Sequence, residues 1–184
     1  EDIQRYKITN SRFITSDVPG VRYKDLKIYQ GPKILFRKTG LGINAMLDKS
    51  NSLTTATVYI LKPKPSKKQI PCQYFLAILN SRIMFYFYLK RYGEIEWKSH
   101  PHFIKKIIFD LPVKKYESSE LDQKIIDKCE SLILKYDKNT DRELEYLIKE
   151  KYELTDNEFG LVLKEMNKMD NNLSAVEHYK WEGN

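Results

Sequence analysis

Residues Gln73 to Tyr92, QYFLAILNSRIMFYFYLKRY, are apolar almost all the way round a helical wheel. A helix with no polar face has to be surrounded, so the rest of the chain must supply its cover. The most apolar part, Tyr74 to Leu89, is broken by Asn80, Ser81 and Arg82 and falls short of a membrane span. Gly93 ends the segment. The segment is predicted to be one long central buried helix. A chain of 184 residues is long enough to wrap a core around it.

Short extended pieces precede it. Arg22 to Lys24 and Leu26 to Tyr29 read as brief extended segments, and Gly31-Pro32 punctuates. Lys33 to Lys38 reads as a strand from its apolar run between turn residues. Thr54 to Leu61 is dense in β-branched residues and Tyr, and is the strongest strand candidate. The two prolines of Lys62 to Lys68 cannot donate to a sheet ladder, so a loop follows. After the helix, Ile107 to Phe109 reads as a strand stopped by Leu111-Pro112.

Beyond residue 116 the pattern becomes helical. Leu121, Ile125, Ile126, Cys129, Leu132 and Ile133 recur at amphipathic spacing within Ser119 to Tyr136, with Ser118 or Ser119 as N-cap. Asp141 to Tyr152 forms a second helix. Thr155-Asp156-Asn157-Glu158 has the form of a capping box and opens a third, Asn157 to Met169. The polar tail from Asp170, with Trp181 alone near its end, is expected to fray. The predicted fold is α+β: a small twisted, mixed or mainly antiparallel sheet on a long buried helix, followed by a helical C-terminal segment. Its predicted division is 1–116 and 117–184.

Charge follows the same division. Residues 1–116 hold 22 Lys and Arg against 8 Asp and Glu, a net of +14, while 117–184 hold 10 against 17, a net of −7. A basic half of this kind points to a polyanion partner. Solubilising surface lysines would give the same count.

Catalytic motifs are missing from the sequence. It has no Gly-rich phosphate loop, no zinc-type Cys/His spacing and no Gly-x-Ser-x-Gly elbow. His100-Pro101-His102 lacks the third ligand that a catalytic metal needs. Glu94, Glu96 and Lys98 give half of a metal-dependent nuclease signature without its preceding Asp. Cys72 and Cys129 are too far apart for a metal pair and read as ordinary reduced thiols of an intracellular protein. No catalysis, catalytic residue or metal is expected from these residues. The chain opens at Glu1 without a Met, as a piece of a longer protein would.

What remains is a set of cations at turns and element ends. Lys33, Arg37, Lys38, Arg82, Lys90, Arg91, Lys98, Lys105 and Lys106 are the candidate DNA-binding residues. For each of them, solvating the end of a buried element is the alternative, and for Arg82, pairing with a carboxylate on the buried helix.

The order of several motifs is similar to a known family. Asp2-Ile3-Gln4-Arg5-Tyr6 is followed by Gly31-Pro32-Lys33-Ile34-Leu35-Phe36-Arg37-Lys38-Thr39-Gly40 and Ala45-Met46-Leu47-Asp48. Then come Thr57-Val58-Tyr59-Ile60, Tyr74 to Ile83, Phe85-Tyr86-Phe87, Gly93, Trp97-Lys98 and Asp110-Leu111-Pro112-Val113. The series resembles the C-terminal target recognition domain of TaqI-like N6-adenine DNA methyltransferases, including fused type IIG restriction-modification enzymes. Glu145 to Glu158 looks like the helical ending of the fused enzymes. The resemblance implies a prokaryotic, cytoplasmic defence protein whose missing catalytic domain uses S-adenosylmethionine. It implies double-stranded DNA and that methyltransferase domain as partners, and no membrane. It also implies that Gly40, Asn80, Ser81 and Pro112 serve architecture rather than base contact. The competing expectation is a protein-interaction module whose acidic helical end docks a partner, and a third is a small nuclease built on Glu94, Glu96 and Lys98.

Overall fold

The computed structural model describes residues 3–11, 19–20, 25–40, 42–64, 70–93, 103–169 and 179–181. Arg22 to Lys24, Glu94 to His102 and the end of the proline loop lie outside these residues.

The sheet is antiparallel and ordered β4-β3-β5, from β3 (Lys33–Arg37), β4 (Ala45–Asp48) and β5 (Val58–Leu61). Leu35 stands opposite both Met46 and Ile60, and Phe36 opposite Ala45 and Tyr59. Period-two alternation sends Ile34 and Phe36 into the main core and Leu35 to a smaller cluster with Ile3 and Met46. A hairpin of β1 (Ile3–Gln4) and β2 (Lys7–Ile8) leans on β4, where the Tyr6 N–H donates to the Ala45 carbonyl at 2.9 Å. β5 is shorter than its β-branched run because Ala56-Thr57 turns. Leu26–Ile28 closes into one 3-10 turn, capped by the Asp25 carboxylate, instead of extending.

The central apolar segment is two helices, α1 (Cys72–Leu79) and α2 (Arg82–Tyr88), and then a wide π-type turn at Leu89–Gly93. The break has a physical cause. Ser81 caps α2 by accepting the Met84 N–H at 3.1 Å. The Asn80 amide accepts the Ala45 N–H at 3.0 Å and donates to the Ala45 carbonyl at 2.9 Å, so it pairs with β4 as a short length of strand would. The polar triplet that interrupts the apolar run is thus fully engaged inside the protein.

Ile107 to Phe109 belongs to a helix, α3 (Lys105–Asp110), and not to a strand. Ile107, Ile108 and Leu111 are buried, which is the i, i+1, i+4 pattern of one helical face. The last three helices are α4 (Glu120–Leu134), α5 (Lys138–Lys151) and α6 (Asp156–Asn167). Ser119 with Asp122 and Thr155 with Glu158 form capping boxes, and Asp137 starts α5 one turn earlier than expected by accepting the Thr140 N–H. The fold is α+β. α1 lies between the sheet and α4, while α2 packs on α5 and α6. One apolar cluster runs from Ile34 and Phe36 through Leu76 and Phe85 to Ile125, Ile148 and Met166.

The tail is not frayed where it is described. Tyr179 is completely buried, and its hydroxyl donates to the Ile43 carbonyl. Trp181 packs edge-on against Tyr146 and Phe159. Among the described residues no helix is long and apolar enough to cross a membrane. Both cysteines are buried and free.

Candidate nucleic-acid interface

The structure sorts the nine candidate cations into three groups. The first is inside the protein. Lys33 is 0% exposed; its ammonium donates to the Tyr29 carbonyl at 2.7 Å and the Ser50 carbonyl at 2.5 Å, and pairs with Asp48 at 2.6 Å. Burial pushes the Asp48 carboxyl up, but hydrogen bonds from Lys33 and Ser50 outweigh it and hold the group below its ordinary range. Arg37 is buried on the same face of β3, with its guanidinium lying over Gly40. Gly40 has φ of 98°, and a Cβ there would sit 2.8 Å from the Arg37 Nη2.

Arg82 is the third buried cation. Its Nη1 lies 2.9 Å from the Asp141 carboxylate and 3.6 Å from Glu145, and its Nε donates to the Tyr179 carbonyl at 2.9 Å. Arg5 joins the same cluster, donating to Asp141 at 2.9 Å. Lys33, Arg37 and Arg82 are therefore corrected: a buried side chain held by neighbouring groups does not reach a phosphate. For Arg82, the carboxylate partners lie on α5 and not on its own helix.

Burial pushes the Glu145 carboxyl up to about 7, aided by the Asp141 charge and opposed by Arg82. Burial also raises Asp141, but Arg5 and Arg82 more than offset it and hold that carboxyl low. The cluster thus joins cations of the basic portion to carboxylates of the acidic one.

The second group is solvent-facing. Lys38 follows β3, is half-buried, and places its ammonium 5.2 Å from the centre of the Tyr59 ring. Its carbonyl accepts the Phe103 N–H at 2.8 Å, two residues before Lys105. Phe103 is fully buried, with ring centres 5.3 Å from Phe36 and 4.4 Å from Tyr88. Tyr88 in turn lies 6.1 Å from Tyr92 in the π-type turn that carries Lys90 and Arg91. Phe103 is therefore the hub that ties together the end of β3, the turn after α2 and the start of α3. Lys90, Arg91, Lys105 and Lys106 are all exposed around it. Lys90 pairs with Glu165 at 2.9 Å, and hydrogen bonds from Lys168 and Lys90 pull that carboxyl down to about 2.

The third group is Lys98, which lies outside the described residues together with Glu94, Glu96, His100 and His102. Among the described residues no cluster of His, Cys, Asp and Glu could hold a metal ion.

A model of the TaqI-like C-terminal specificity domain matches residues 1–113, well over half of the chain. The chain belongs to that family. The matched part of the specificity domain ends at Val113, within a few residues of the point where the net charge changes sign. No curated protein matches the chain. The motif residues of the specificity domain carry its framework: Asn80 completes β4, Ser81 caps α2, Gly40 underlies Arg37, and the Pro112 carbonyl accepts from the Tyr152 hydroxyl at 2.7 Å. Sequence reasoning missed Tyr59 as the ring under Lys38. Strand alternation was the available signal, because Tyr59 pairs with Phe36 and so shares a face with Lys38. It also missed Arg5, whose partner Asp141 is 136 residues away and leaves no local trace.

Proposed function

We propose that this specificity domain is the DNA target recognition unit of an N6-adenine DNA methyltransferase or of a fused type IIG restriction-modification enzyme. The observation that carries the reading is the family match over residues 1–113, which covers every exposed candidate cation gathered around Phe103. Lys38, Lys90, Arg91, Lys105 and Lys106 are the electrostatic set in this proposal. They sit on an element end, a turn and a helix start fixed by buried aromatic contacts, so their charges are presented on a rigid base.

Cations on phosphates release counterions and set the register of the duplex, while other side chains read base edges. The catalytic step, with S-adenosylmethionine as methyl donor, belongs to a methyltransferase domain of the same parent chain. The flipped adenine would enter that domain while this one holds the flanking duplex. Residues 1–116 form the recognition portion, and residues 117–184 brace it through Asp141, Glu145 and Tyr179.

Salt dependence tests the reading. With Lys90 held by Glu165, neutralising about four phosphates gives a log–log slope near −3.6, so affinity for duplex DNA should fall roughly a hundred-fold between about 50 and 200 mM salt. Binding that ignores salt would remove the proposal and favour a protein-docking module.

A further inference from the structure

α3 is six residues long, and its two faces differ sharply. Ile107 and Ile108 turn into the core, which leaves Lys105, Lys106, Phe109 and Asp110 outside. Phe109 is 79% exposed, a large aromatic ring held in water. Leaving such a ring uncovered forgoes the free energy that burying it would release. Helical spacing places Phe109 four residues from Lys105 and three from Lys106, on the same side and one turn along. Ile104, 46% exposed, flanks the lysines on their other side.

Ile8, Leu26, Ile28 and Leu53 are also exposed in the basic portion, but among the described residues Phe109 is the most exposed of these and the one aromatic ring. Leu134 and Leu161 project from α4 and α6, in the portion of net charge −7. Phe109 is set one turn from two cations and directly before the single carboxylate of Asp110. A surface of this composition complements duplex DNA, whose phosphates take the charges and whose base edges accept apolar groups.

We propose that Phe109 is an apolar base contact. Lys105 and Lys106 hold phosphates at the edge of a groove, and the Phe109 ring enters that groove and packs on base edges, of which the thymine methyl is the best apolar partner. The inference deepens the recognition reading and rests on it. It makes Phe109 a determinant of which sequence is bound, while the two lysines act on every sequence alike.

The test uses the 184-residue chain and two probes: a random-sequence duplex pool, and the same pool enriched by repeated binding to the wild-type protein. Phe109→Ala should bind the enriched pool about tenfold more weakly than wild type, with an unchanged salt slope. On the unselected pool, where phosphate contacts dominate, the variant should match wild type. Lys105→Gln with Lys106→Gln should instead lower the slope by about two on both pools. Phe109→Gln repeats the measurement, and melting curves matching wild type show that each variant is folded. Equal binding of the enriched pool by wild type and both Phe109 variants would overturn the inference and assign the ring to a protein partner. Failure of the pool to enrich would overturn it too, because a base contact must create a preference. A wild-type chain with no salt-dependent binding would instead remove the recognition reading itself.

Discussion

The portion before residue 114 and the helices after Glu117 handle charge differently. Among the described residues the basic portion takes four cations inside: Arg5, Lys33, Arg37 and Arg82. The acidic helices bury Asp122 against their own Lys151, at 3.0 Å, but turn Asp141 and Glu145 toward the guanidiniums of the other portion. Net charge counted along the chain therefore overstates what the basic surface offers to a polyanion. Part of the opposition between the halves is consumed where they meet, and of the candidate cations among the described residues those around Phe103 are left to act outward.

The strongest way to break this relation is to remove the carboxylate that both arginines share. Asp141 is 1% exposed and lies 2.9 Å from each guanidinium. Asp141→Asn keeps the volume and leaves two buried cations to the single carboxyl of Glu145. A loss of about 3–5 kcal/mol is expected from urea unfolding, as for other buried pairs broken from one side. A loss below about 1 kcal/mol would mean that apolar packing alone joins the halves.

A smaller effect appears with pH. Glu145 is raised by burial to about 7, so the folded state prefers its protonated form. Its stabilising contribution is complete below the ordinary carboxyl range and is lost as pH rises through about 7. Asp141 is shifted the other way, and its contribution is lost only on acidification below the ordinary carboxyl range. Between about pH 5 and 7.5 the stability of the wild-type chain should therefore fall by about 2 kcal/mol relative to Glu145→Gln, whose amide does not ionise. Parallel stability curves for the two proteins would show that Glu145 is ionised throughout.

The same two portions differ in how far their sequences reveal them. The later helices announce themselves locally, since Ser119 with Asp122 and Thr155 with Glu158 are capping signals within four residues. The earlier portion is written in distant contacts. Asn80 looks like a tolerated polar interruption until its amide is seen pairing with Ala45, 35 residues away. Tyr179 looks like part of a loose tail, yet it reaches Ile43 across 136 residues. Lys33 shows the same limit at the candidate site. Beside Ile34-Leu35-Phe36 it reads as a strand-end cation, and only the fold brings Asp48, Tyr29 and Ser50 around it. Lys105 and Lys106 were legible as surface cations because buried Ile107 and Ile108 follow directly; what the apolar triplet concealed was that Phe109 does not join them.

Lys90 and Arg91 give the finest probe of the comparison, because they are sequence neighbours with different obligations. Both are exposed in the π-type turn, but Lys90 reaches across to Glu165 of the acidic portion. Exposed pairs of this kind contribute little, so Lys90→Gln should change stability by less than about 0.5 kcal/mol. Its ammonium is already partly neutralised, and a phosphate would have to displace the Glu165 carboxylate to use it. The salt slope for duplex DNA should therefore hardly change in Lys90→Gln, whereas Arg91→Gln should reduce it by about one. Equal slopes for the two variants would mean that the Glu165 pair opens on DNA. Glu165→Gln would then strengthen binding, and the acidic helices would regulate the basic face instead of merely supporting it.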